Sequence, residues 1–385
     1  MMKKVFLSFG LMACTAVSLA ADAGIDRAFF DRLLRIPCRC GDEPYLLQVV
    51  DATKEWLSTR GVFCVVETND VGRVALYAST TPGRRHDYLF VSHLDVVDGP
   101  DSLFQPRYDG DKVFARGACD TKGNAVAICQ ILANLKASGS KATVGMFLAT
   151  DEDGGGRGQR TPPMMIERGY LPKRMIIIGD SAGEEPGQLF TAEKGHAHID
   201  LVAHGKGGHS SRPWALDNPV PKLCAGYLKF VETWDPDADL KEKWRTVLSP
   251  TMLNGSVAPN VVADEVSMHL SCRYTTMAEY HRAVQVLKET TGLEVRATPG
   301  RLPVENKPGD PEIAALLAAM NRDLPGGIRE GKMSAATDAS YYVGLGYPIV
   351  IFAADGGEPH SDREWGSLKS FDDYTLFFTS YLRTR

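Results

Sequence analysis

Short apolar segments alternate with amphipathic stretches along the first half of the chain. The segments Tyr88–Ser92, Thr143–Ala149 and Arg174–Ile178 have the length and composition of buried strands. Strands that alternate with helices in this way predict an α/β domain with a mostly parallel sheet. The amphipathic stretches predict helices over Asp26–Leu34, Tyr45–Arg60, Asn124–Ser138 and Thr161–Arg168.

The pattern changes after Glu193. The predicted elements then follow the order strand, helix, strand, strand, helix, strand over His196–Gly205, Pro219–Thr233, Thr251–Val257, Glu265–Tyr274, Ala278–Thr290 and Glu294–Ala297. This order is the split βαβ unit of a ferredoxin-like α+β domain. From Leu302 the α/β pattern resumes, with helices over Pro311–Asp323 and Phe371–Arg383 around a buried strand at Ile349–Phe352.

The two patterns predict one domain inserted into another. The outer α/β domain comprises residues 22–194 and 303–385, and the inserted domain comprises residues 195–302. A chain of 385 residues is long enough for two cores. Its 44% hydrophobic and 24% charged residues are typical of a globular protein, and its net charge of −5 gives no basic footprint for nucleic acid.

The first twenty residues have the composition of an export signal. Lys3 and Lys4 precede the apolar run Val5–Leu19, and small residues at Ser18 and Ala20 predict cleavage after Ala20. The mature protein is then periplasmic or secreted. Three alternatives remain open, namely a buried N-terminal helix, a membrane anchor, and a lipoprotein attached through the only cysteine of the run, Cys14.

The cysteines do not form a disulfide framework. Cleavage leaves seven of them, so at least one is a free thiol. No pair has CxxC spacing, which disfavours a structural zinc site built from thiolates.

Five potential metal ligands come in a fixed order along the chain. They are His93, Asp120, Asp153, Asp180 and His360. The first four follow short apolar runs, and parallel sheets place ligand sites at the carboxyl ends of their strands. Two imidazoles and three carboxylates gathered there predict a site for two divalent cations that share one bridging carboxylate.

Taken singly, these residues have ordinary explanations. Asp120 has the position of a helix N-cap, and Glu152 with Asp153 has the composition of a solvated acidic turn. Asp95 lies two residues after His93, so an extended chain places both side chains on one face, where Asp95 can orient the imidazole. Glu152 is the expected general base for a metal-activated water.

A second set of polar residues falls in the inserted domain. His209 lies in a glycine-rich turn, and Asn260 and Arg273 follow along the chain. An imidazole, an amide and a guanidinium are suitable donors to an oxyanion and to a substrate carboxylate. A hairpin turn and a surface arginine are the alternative explanation.

The joint pattern resembles the two-zinc amidohydrolases and exopeptidases that include glutamate carboxypeptidase, acetylornithine deacetylase, succinyl-diaminopimelate desuccinylase and aminoacylase. The resemblance runs from His93 to His360 and implies a phosphorylase/hydrolase-like catalytic domain with an inserted lid or dimerisation domain. It implies that Asp120 bridges two Zn²⁺ ions, with a cis peptide just after it. One ion is then held by His93 and Asp180, and the other by Asp153 and His360.

The resemblance also implies the roles of the remaining residues. Glu152 is the general base acting on the metal-bridging water, and Asp95 orients His93. His209 polarises the scissile carbonyl and reaches the site of a partner subunit in a homodimer. The residues with a substrate or supporting role are Asn260, Arg273 and Glu364.

Three positions depart from the family pattern. The usual Glu-Glu pair is Glu152-Asp153 here, which shortens one metal ligand by a methylene. Ser340 stands where desuccinylases and deacetylases carry a carboxylate-binding arginine, and this favours the glutamate carboxypeptidase branch. The usual Asp-x-Arg strand reads Ser271-Cys272-Arg273.

The sequence therefore predicts an exported zinc metallopeptidase or amidase, carboxypeptidase-like, that cleaves a peptide or N-acyl amide bond beside a free carboxylate. Co²⁺ or Mn²⁺ is an alternative to Zn²⁺, because mixed carboxylate and imidazole sites accept all three. The alternatives in function are an N-acyl-amino-acid deacylase or dipeptidase of the same fold, and a catalytically inactive metal- or peptide-binding protein.

Overall fold

The fold is given by a computed structural model that describes residues 23–154, 160–180, 187–234, 243–256 and 258–385. The predicted signal peptide and Cys14 lie outside these residues. Within the described ranges, no helix combines the length and the apolar composition needed to cross a membrane. The seven cysteines there are all free thiols.

The predicted helices all form, with ends that differ by a few residues. In chain order they are α1 Arg27–Leu34, α2 Glu43–Ser58, α3 Lys122–Ser138, α4 Thr161–Glu167, α5 Pro219–Trp234, α6 Met277–Thr290, α7 Pro311–Asp323 and α8 Leu368–Arg383. Local capping accounts for several ends. The carboxylate of Asp310 accepts from the first backbone N–H groups of α7, and Gly139 ends α3 in a left-handed conformation at φ 65°.

The predicted strands form with ends that differ by up to four residues, and several additional strands are present. Val257, the end of the predicted strand Thr251–Val257, lies outside the described residues. In chain order the strands are β1 Phe63–Thr68, β2 Val74–Ser79, β3 Arg85–His93, β4 Arg107–Asp109, β5 Lys112–Phe114, β6 Val144–Ala149, β7 Leu171–Ile178, β8 Gln188–Glu193, β9 Gly195–His204, β10 Gly208–His209, β11 Val247–Asn254, β12 Val261–Val262, β13 Glu265–Tyr274, β14 Glu294–Arg301, β15 Val304–Glu305, β16 Arg329–Met333, β17 Ile349–Ile351, β18 Gly356–Gly357 and β19 Trp365–Ser367. The unpredicted ones are mostly two to five residues long, too short for a periodic signal.

The large sheet has the order β1-β2-β6-β3-β7-β17-β8-β15, with β16 also paired to β8. Its centre, β6-β3-β7-β17, is parallel, and antiparallel strands flank it. The central strands are buried on both faces, which explains why they read as continuous apolar runs. One face packs mainly against α1, α2, α3, α7 and α8, and the other against residues from α4 and the later loops.

The second sheet is antiparallel and has the order β11-β13-β9-β14. Helices α5 and α6 cover one of its faces, where alternate residues of β9 and β13 such as Leu201 and Leu270 are buried. This is a ferredoxin-like arrangement, so the predicted α/β fold with an α+β insertion is confirmed. The chain passes between the sheets at two places, from β8 into β9 and from β14 into β15.

Candidate active site

Three of the five predicted metal ligands lie at one edge of the parallel centre of the large sheet. His93 is the last residue of β3, while Asp153 and Asp180 follow its two neighbours, β6 and β7. These carboxyl ends meet because the three strands are parallel. Asp120 approaches from the loop before α3, and the peptide bond after it is cis, as the family resemblance implied.

Asp120 lies between two imidazoles. Its Oδ1 is 3.1 Å from Nε2 of His93, and its Oδ2 is 3.0 Å from Nε2 of His360. The same nitrogen of His360 is 3.1 Å from Oδ1 of Asp153, so Asp153, although one methylene shorter than the usual Glu, still reaches the other ligands. Asp180 Oδ2 lies 3.9 Å from Nε2 of His93. The structure thus brings all five predicted ligands together.

The donor set fits divalent cations. One ligand atom from each of His93, Asp120 and Asp153 lies within 4.8 Å of the others. Two donors on a tetrahedral zinc with bonds of 2.0–2.1 Å are separated by about 3.3 Å, close to the spacings found here. Imidazole nitrogens and carboxylate oxygens are ligands that Zn²⁺, Co²⁺ and Mn²⁺ accept.

The close spacing of the five predicted ligands shifts the pKa values of several of them. Hydrogen bonds to Asp120 and Asp153 raise the pKa of His360 to about 10. Burial, together with the charge of Asp120, raises the pKa of Asp153 to about 7. Burial opposes ionisation of Asp120, but its hydrogen bonds to the two imidazoles lower its pKa overall. A cation that binds here displaces protons, so its affinity falls as the pH falls.

Asp95 supports the cluster differently from the expectation. The Nδ1 of His93 donates to the main-chain carbonyl of Asp95 at 2.9 Å, whereas the nearest carboxylate oxygen is 3.6 Å away. The carboxylate instead accepts from the backbone N–H groups of Glu152 at 3.2 Å and Asp153 at 2.9 Å. The carbonyl thus fixes the imidazole, and the side chain fixes the loop that carries the proposed base.

Glu364 holds the Asp120 loop, together with a residue that the sequence analysis missed. One oxygen of Glu364 accepts from the N–H groups of Cys119 and Asp120, at 3.2 and 3.1 Å. The other accepts from Arg116 at 2.8 Å, in a fully buried ion pair. Arg116 also donates to the carbonyl of His360 at 3.4 Å. The Arg116–Glu364 pair therefore links the two loops that carry Asp120 and His360.

The loop of His360 adopts an unusual backbone conformation. Glu358 and His360 have φ values of 54° and 62°, in the left-handed region that residues other than glycine seldom occupy. Such a conformation costs about 1–3 kcal/mol and persists only where the surroundings determine it. Here the contact from Arg116 and a hydrogen bond from Ser361 N–H to the carbonyl of Glu358 hold the loop.

The proposed base, Glu152, forms an ion pair with Arg301. The guanidinium Nη1 lies 2.7 Å from Oε1 of Glu152 and donates to the carbonyl of Ala336 at 2.9 Å. Arg301 is the last residue of β14, so the second sheet contributes directly to this site. The sequence carries no signal for Arg301, because an arginine at a strand end does not indicate its partner.

Arg273 lies beside Arg301. Burial, together with the charge of Arg301, lowers the pKa of Arg273, while the nearby Glu193 opposes this change. Within the described residues, the guanidinium of Arg273 makes no hydrogen bond or ion pair. A largely buried cation without such a partner is chemically suited to bind an anionic group.

His209 and Asn260 lie together but away from the cluster. β10 and β12 pair His209 with Val261, and the N–H of Ser210 donates to the carbonyl of Asn260 at 2.9 Å. Both residues are exposed. The paired strands β10 and β12 form the His209 ribbon, which lies beyond the far end of β9, a strand of ten residues that spans roughly 30 Å. Arg273 is at the opposite end, beside His196, so the structure separates it from the other two predicted residues.

Comparison with known proteins shows the family of the chain and supports its fold. A sequence profile of Peptidase family M20/M25/M40 matches residues 89–384. The chain belongs to this family. It is 23% identical over 330 residues to a succinyl-diaminopimelate desuccinylase of Gluconobacter oxydans, a match that covers 81% of this chain and 85% of the relative.

Solved structures share the fold of this M20 protein. An M20 family metallo-carboxypeptidase from Sulfolobus solfataricus superposes with a TM-score of 0.76 at 16% identity, covering 93% of this chain and 99% of the other. A dinuclear metal-binding M20 peptidase from Bacillus subtilis gives a TM-score of 0.64 at 14% identity, with coverages of 93% and 99%.

The M20 protein is therefore a hydrolase that acts on peptide or other amide bonds, in a metal-dependent family. Its relatives carry the names of both desuccinylases and carboxypeptidases. The assignment to the glutamate carboxypeptidase branch, which depended on Ser340, stays a prediction. Ser340 is buried, and its hydroxyl donates to the carbonyl of Thr337 at 3.2 Å.

Proposed function

We propose that this M20 protein is an exported exopeptidase or amidase that uses two Zn²⁺ ions to cleave an amide bond beside a free carboxylate. One observation carries the proposal, namely the single buried carboxylate of Asp120 with an imidazole nitrogen at 3.1 Å on one side and 3.0 Å on the other. That geometry suits a ligand shared by two cations. His93 and Asp180 would complete one site, and Asp153 and His360 the other.

Bound ions would polarise the scissile carbonyl and lower the pKa of the attacking water. Glu152 accepts the proton that the water loses as its oxygen attacks the carbonyl carbon. The same carboxyl then gives this proton to the leaving nitrogen, and the C–N bond breaks. The products are a carboxylic acid and an amine. Because Asp95 holds the N–H of Glu152, the base stays beside the cluster through both transfers.

Arg273 provides the binding site for the substrate's carboxylate in this proposal. The largely buried guanidinium lacks a hydrogen-bonding partner within the described residues, and a carboxylate meets it with two parallel hydrogen bonds. Arg273 also lies beside Arg301, which contacts the proposed base. A substrate anchored there has its scissile bond near the cluster. Asn260 would contact the substrate from the side of the His209 ribbon.

A homodimer accounts for the location of His209. Within one chain, the His209 ribbon lies beyond the end of the second sheet that is farther from Glu152. A two-fold dimer in which each second sheet approaches its partner's cluster would bring His209 to the oxyanion that forms on the carbonyl. The hydroxyl of Ser211 is 2.8 Å from Nδ1 of His209, which orients the ring.

The edge of the second sheet supports this dimer. Strand β11 is paired with β13 on one side, and its other edge is open within the described residues. Met252 and Leu253 on this strand are 58% and 71% exposed, and Leu228 on α5 is 58% exposed. An open edge with exposed apolar side chains invites pairing with a second strand. We propose that the two copies of β11 pair across the dimer axis.

Export and the nature of the substrate complete the proposal. The basic and apolar pattern of the first twenty residues supports export, which favours scavenging or turnover of peptide fragments over a biosynthetic role. The deacylase and dipeptidase alternatives share the same chemistry and differ in the group on the acyl side of the bond. The inactive binding protein is disfavoured by the presence of both Glu152 and His209.

One experiment tests the proposal directly. The purified mature chain is incubated with a mixed panel of dipeptides, N-acetyl amino acids and N-succinyl amino acids, and each member is followed by mass spectrometry. We expect hydrolysis that a chelator abolishes and added Zn²⁺ restores, with two metal ions per chain by elemental analysis. Matched panel members whose carboxylate is replaced by an amide should resist cleavage. Two bound metals with no hydrolysis of any member would favour the binding-protein alternative.

A further inference from the structure

Arg301 joins the second sheet to the proposed general base. It is the last residue of β14, and the chain passes from there through two residues into β15 of the large sheet. The other passage between the sheets, at Lys194, lies beside it, because Glu193 of β8 pairs with Val304 of β15. Arg301 therefore lies beside both places where the chain crosses between the sheets.

The contact is close and shielded from water. Nη1 of Arg301 is 2.7 Å from Oε1 of Glu152, and the two side chains are only 21% and 11% exposed. The same nitrogen donates to the carbonyl of Ala336 at 2.9 Å, which fixes the guanidinium from a third segment. Within the described residues, no other side chain hydrogen-bonds the carboxylate of Glu152. Asp95 holds the main chain of Glu152, and Arg301 aims its carboxylate.

The electrostatics agree with a permanent ion pair. Burial by itself would lower the pKa of Arg301, but the charges of Glu152 and Asp338 raise it above its usual value. Arg301 is therefore charged at any pH at which the protein is folded. A charged partner that stays in place holds the carboxylate of Glu152 in one direction, as a positioned proton acceptor requires.

We propose that Arg301 is a positioning residue for Glu152, through which the second sheet holds the catalytic base in its working orientation. The inference rests on the proposed function, since it assigns a role within that reaction. Arg301 acts through Glu152 and not on the substrate. A base that is misplaced by about 1 Å loses roughly 10²-fold in rate, so the loss of this contact should lower kcat far more than it changes KM.

The test compares Arg301→Gln and Arg301→Lys with the control Arg296→Gln. Arg296 lies on the same strand, and its exposed guanidinium pairs with Glu294 instead. Each full-length mature enzyme, loaded with Zn²⁺, is assayed on the best substrate of the panel. We expect kcat to fall about 10²-fold in Arg301→Gln with KM unchanged, partial recovery in Arg301→Lys, and no change in the control. In a Glu152→Asp background, Arg301→Gln should have little further effect.

A second measurement does not depend on turnover. Hydrogen–deuterium exchange of the peptide that covers residues 150–154 should be faster in Arg301→Gln than in Arg296→Gln, while melting temperature and metal content stay close to those of the wild type. Faster exchange in a protein that hydrolyses nothing would refute the proposed function but leave the positioning role intact.

Three results would overturn the role of Arg301. The first is a rise in KM with kcat unchanged, since that would make Arg301 a substrate-binding residue. The second is unchanged exchange in the peptide that covers residues 150–154. The third is an equal loss of activity by Arg301→Gln with Glu152 and with Asp at that position, because independent effects add. If Arg301→Gln fails to fold, Arg301→Lys carries the same comparison with the charge retained.

Discussion

The predicted metal ligands and His209 were both expected to belong to one site, but the structure brings the ligands together and leaves His209, in its ribbon, apart from them. The cluster is complete within one chain, with Asp120 within 3.1 Å of both His93 and His360. The His209 ribbon lies at the far end of an antiparallel sheet, and both His209 and Asn260 are exposed. Folding of one chain assembles the edge of the parallel sheet, and it brings Arg301 of the second sheet to that edge, but it leaves His209 and Asn260 at the other end of the second sheet.

The difference has a topological cause. Successive parallel strands all end at the same edge, so residues after β3, β6 and β7 become neighbours even though they are far apart in sequence. Successive antiparallel strands end at opposite edges. The turn before β10 and the end of β13 are therefore separated by a strand length, and His209 and Arg273 cannot approach each other in one chain.

The largest effect on kcat is expected from a change of Glu152, the proposed general base. Glu152→Gln keeps the shape of the side chain but removes the proton acceptor. We expect kcat to fall by about 10⁴-fold with two metals still bound, measured by the panel assay and by elemental analysis. Glu330→Gln, an exposed change of the same kind, is the control. Residual activity above a few per cent would exclude Glu152 as the base.

The next effect concerns the buried pair that links the two ligand loops. Arg116→Met leaves Glu364 buried without its cation, which typically costs about 3–5 kcal/mol. We expect a lower free energy of unfolding in urea and weaker metal binding, because the contact to the His360 carbonyl is lost as well. The double variant Arg116→Met/Glu364→Gln should recover part of the stability. A variant that binds two metals with unchanged affinity would argue against this link.

The third effect concerns His209, which we expect to act on the active site of a partner subunit. His209→Ala is expected to lower kcat by about 10²–10³-fold, the usual effect of one lost oxyanion donor. When equal amounts of His209→Ala and Glu152→Gln proteins exchange subunits, half of the dimers carry one intact site, so about a quarter of the wild-type activity should return. Light scattering should report a dimer. A monomer with full activity would refute the shared site.

The smallest effect concerns Glu193, which lies at the junction of the two sheets. Burial raises its pKa to about 8, while hydrogen bonds from the N–H and hydroxyl of Thr337 act in the opposite direction. The folded state thus binds a proton that the unfolded state releases above its ordinary pKa of 4.5. This contribution is present in full below that value, and stability declines as the pH rises towards 8.

Glu193→Gln should therefore remove roughly 2 kcal/mol of the decline in unfolding free energy between pH 5 and pH 7. Urea unfolding at several pH values measures this slope. Glu330→Gln, on the neighbouring strand β16, should retain the slope of the wild type. Equal slopes in Glu193→Gln and the wild type would show that Glu193 is ionised in the folded protein.

Several elements of the fold could be predicted because their signals are local. Helix α7 begins and ends where the Asp-Pro start and the apolar spacing place it, at Pro311 and Asp323. Strand β13 likewise matches the predicted range Glu265–Tyr274, because its residues alternate between buried and half-exposed. The short sheet of β4, β5, β18 and β19 could not be predicted. Its strands of two or three residues exist only because their partners lie beside them.

The sequence by itself predicted that His93, Asp153 and Asp180 meet, because residues that follow neighbouring parallel strands lie at one edge of the sheet. It also determined the two kinds of sheet, since hydrophobic periodicity is a property of consecutive residues. Only the tertiary structure decided how Glu152 and Asp120 are supported. Arg301 is 149 residues away from Glu152. Arg116 is 248 residues away from Glu364, which in turn accepts from the N–H of Asp120, and a buried charge has no periodic pattern that could predict its partner.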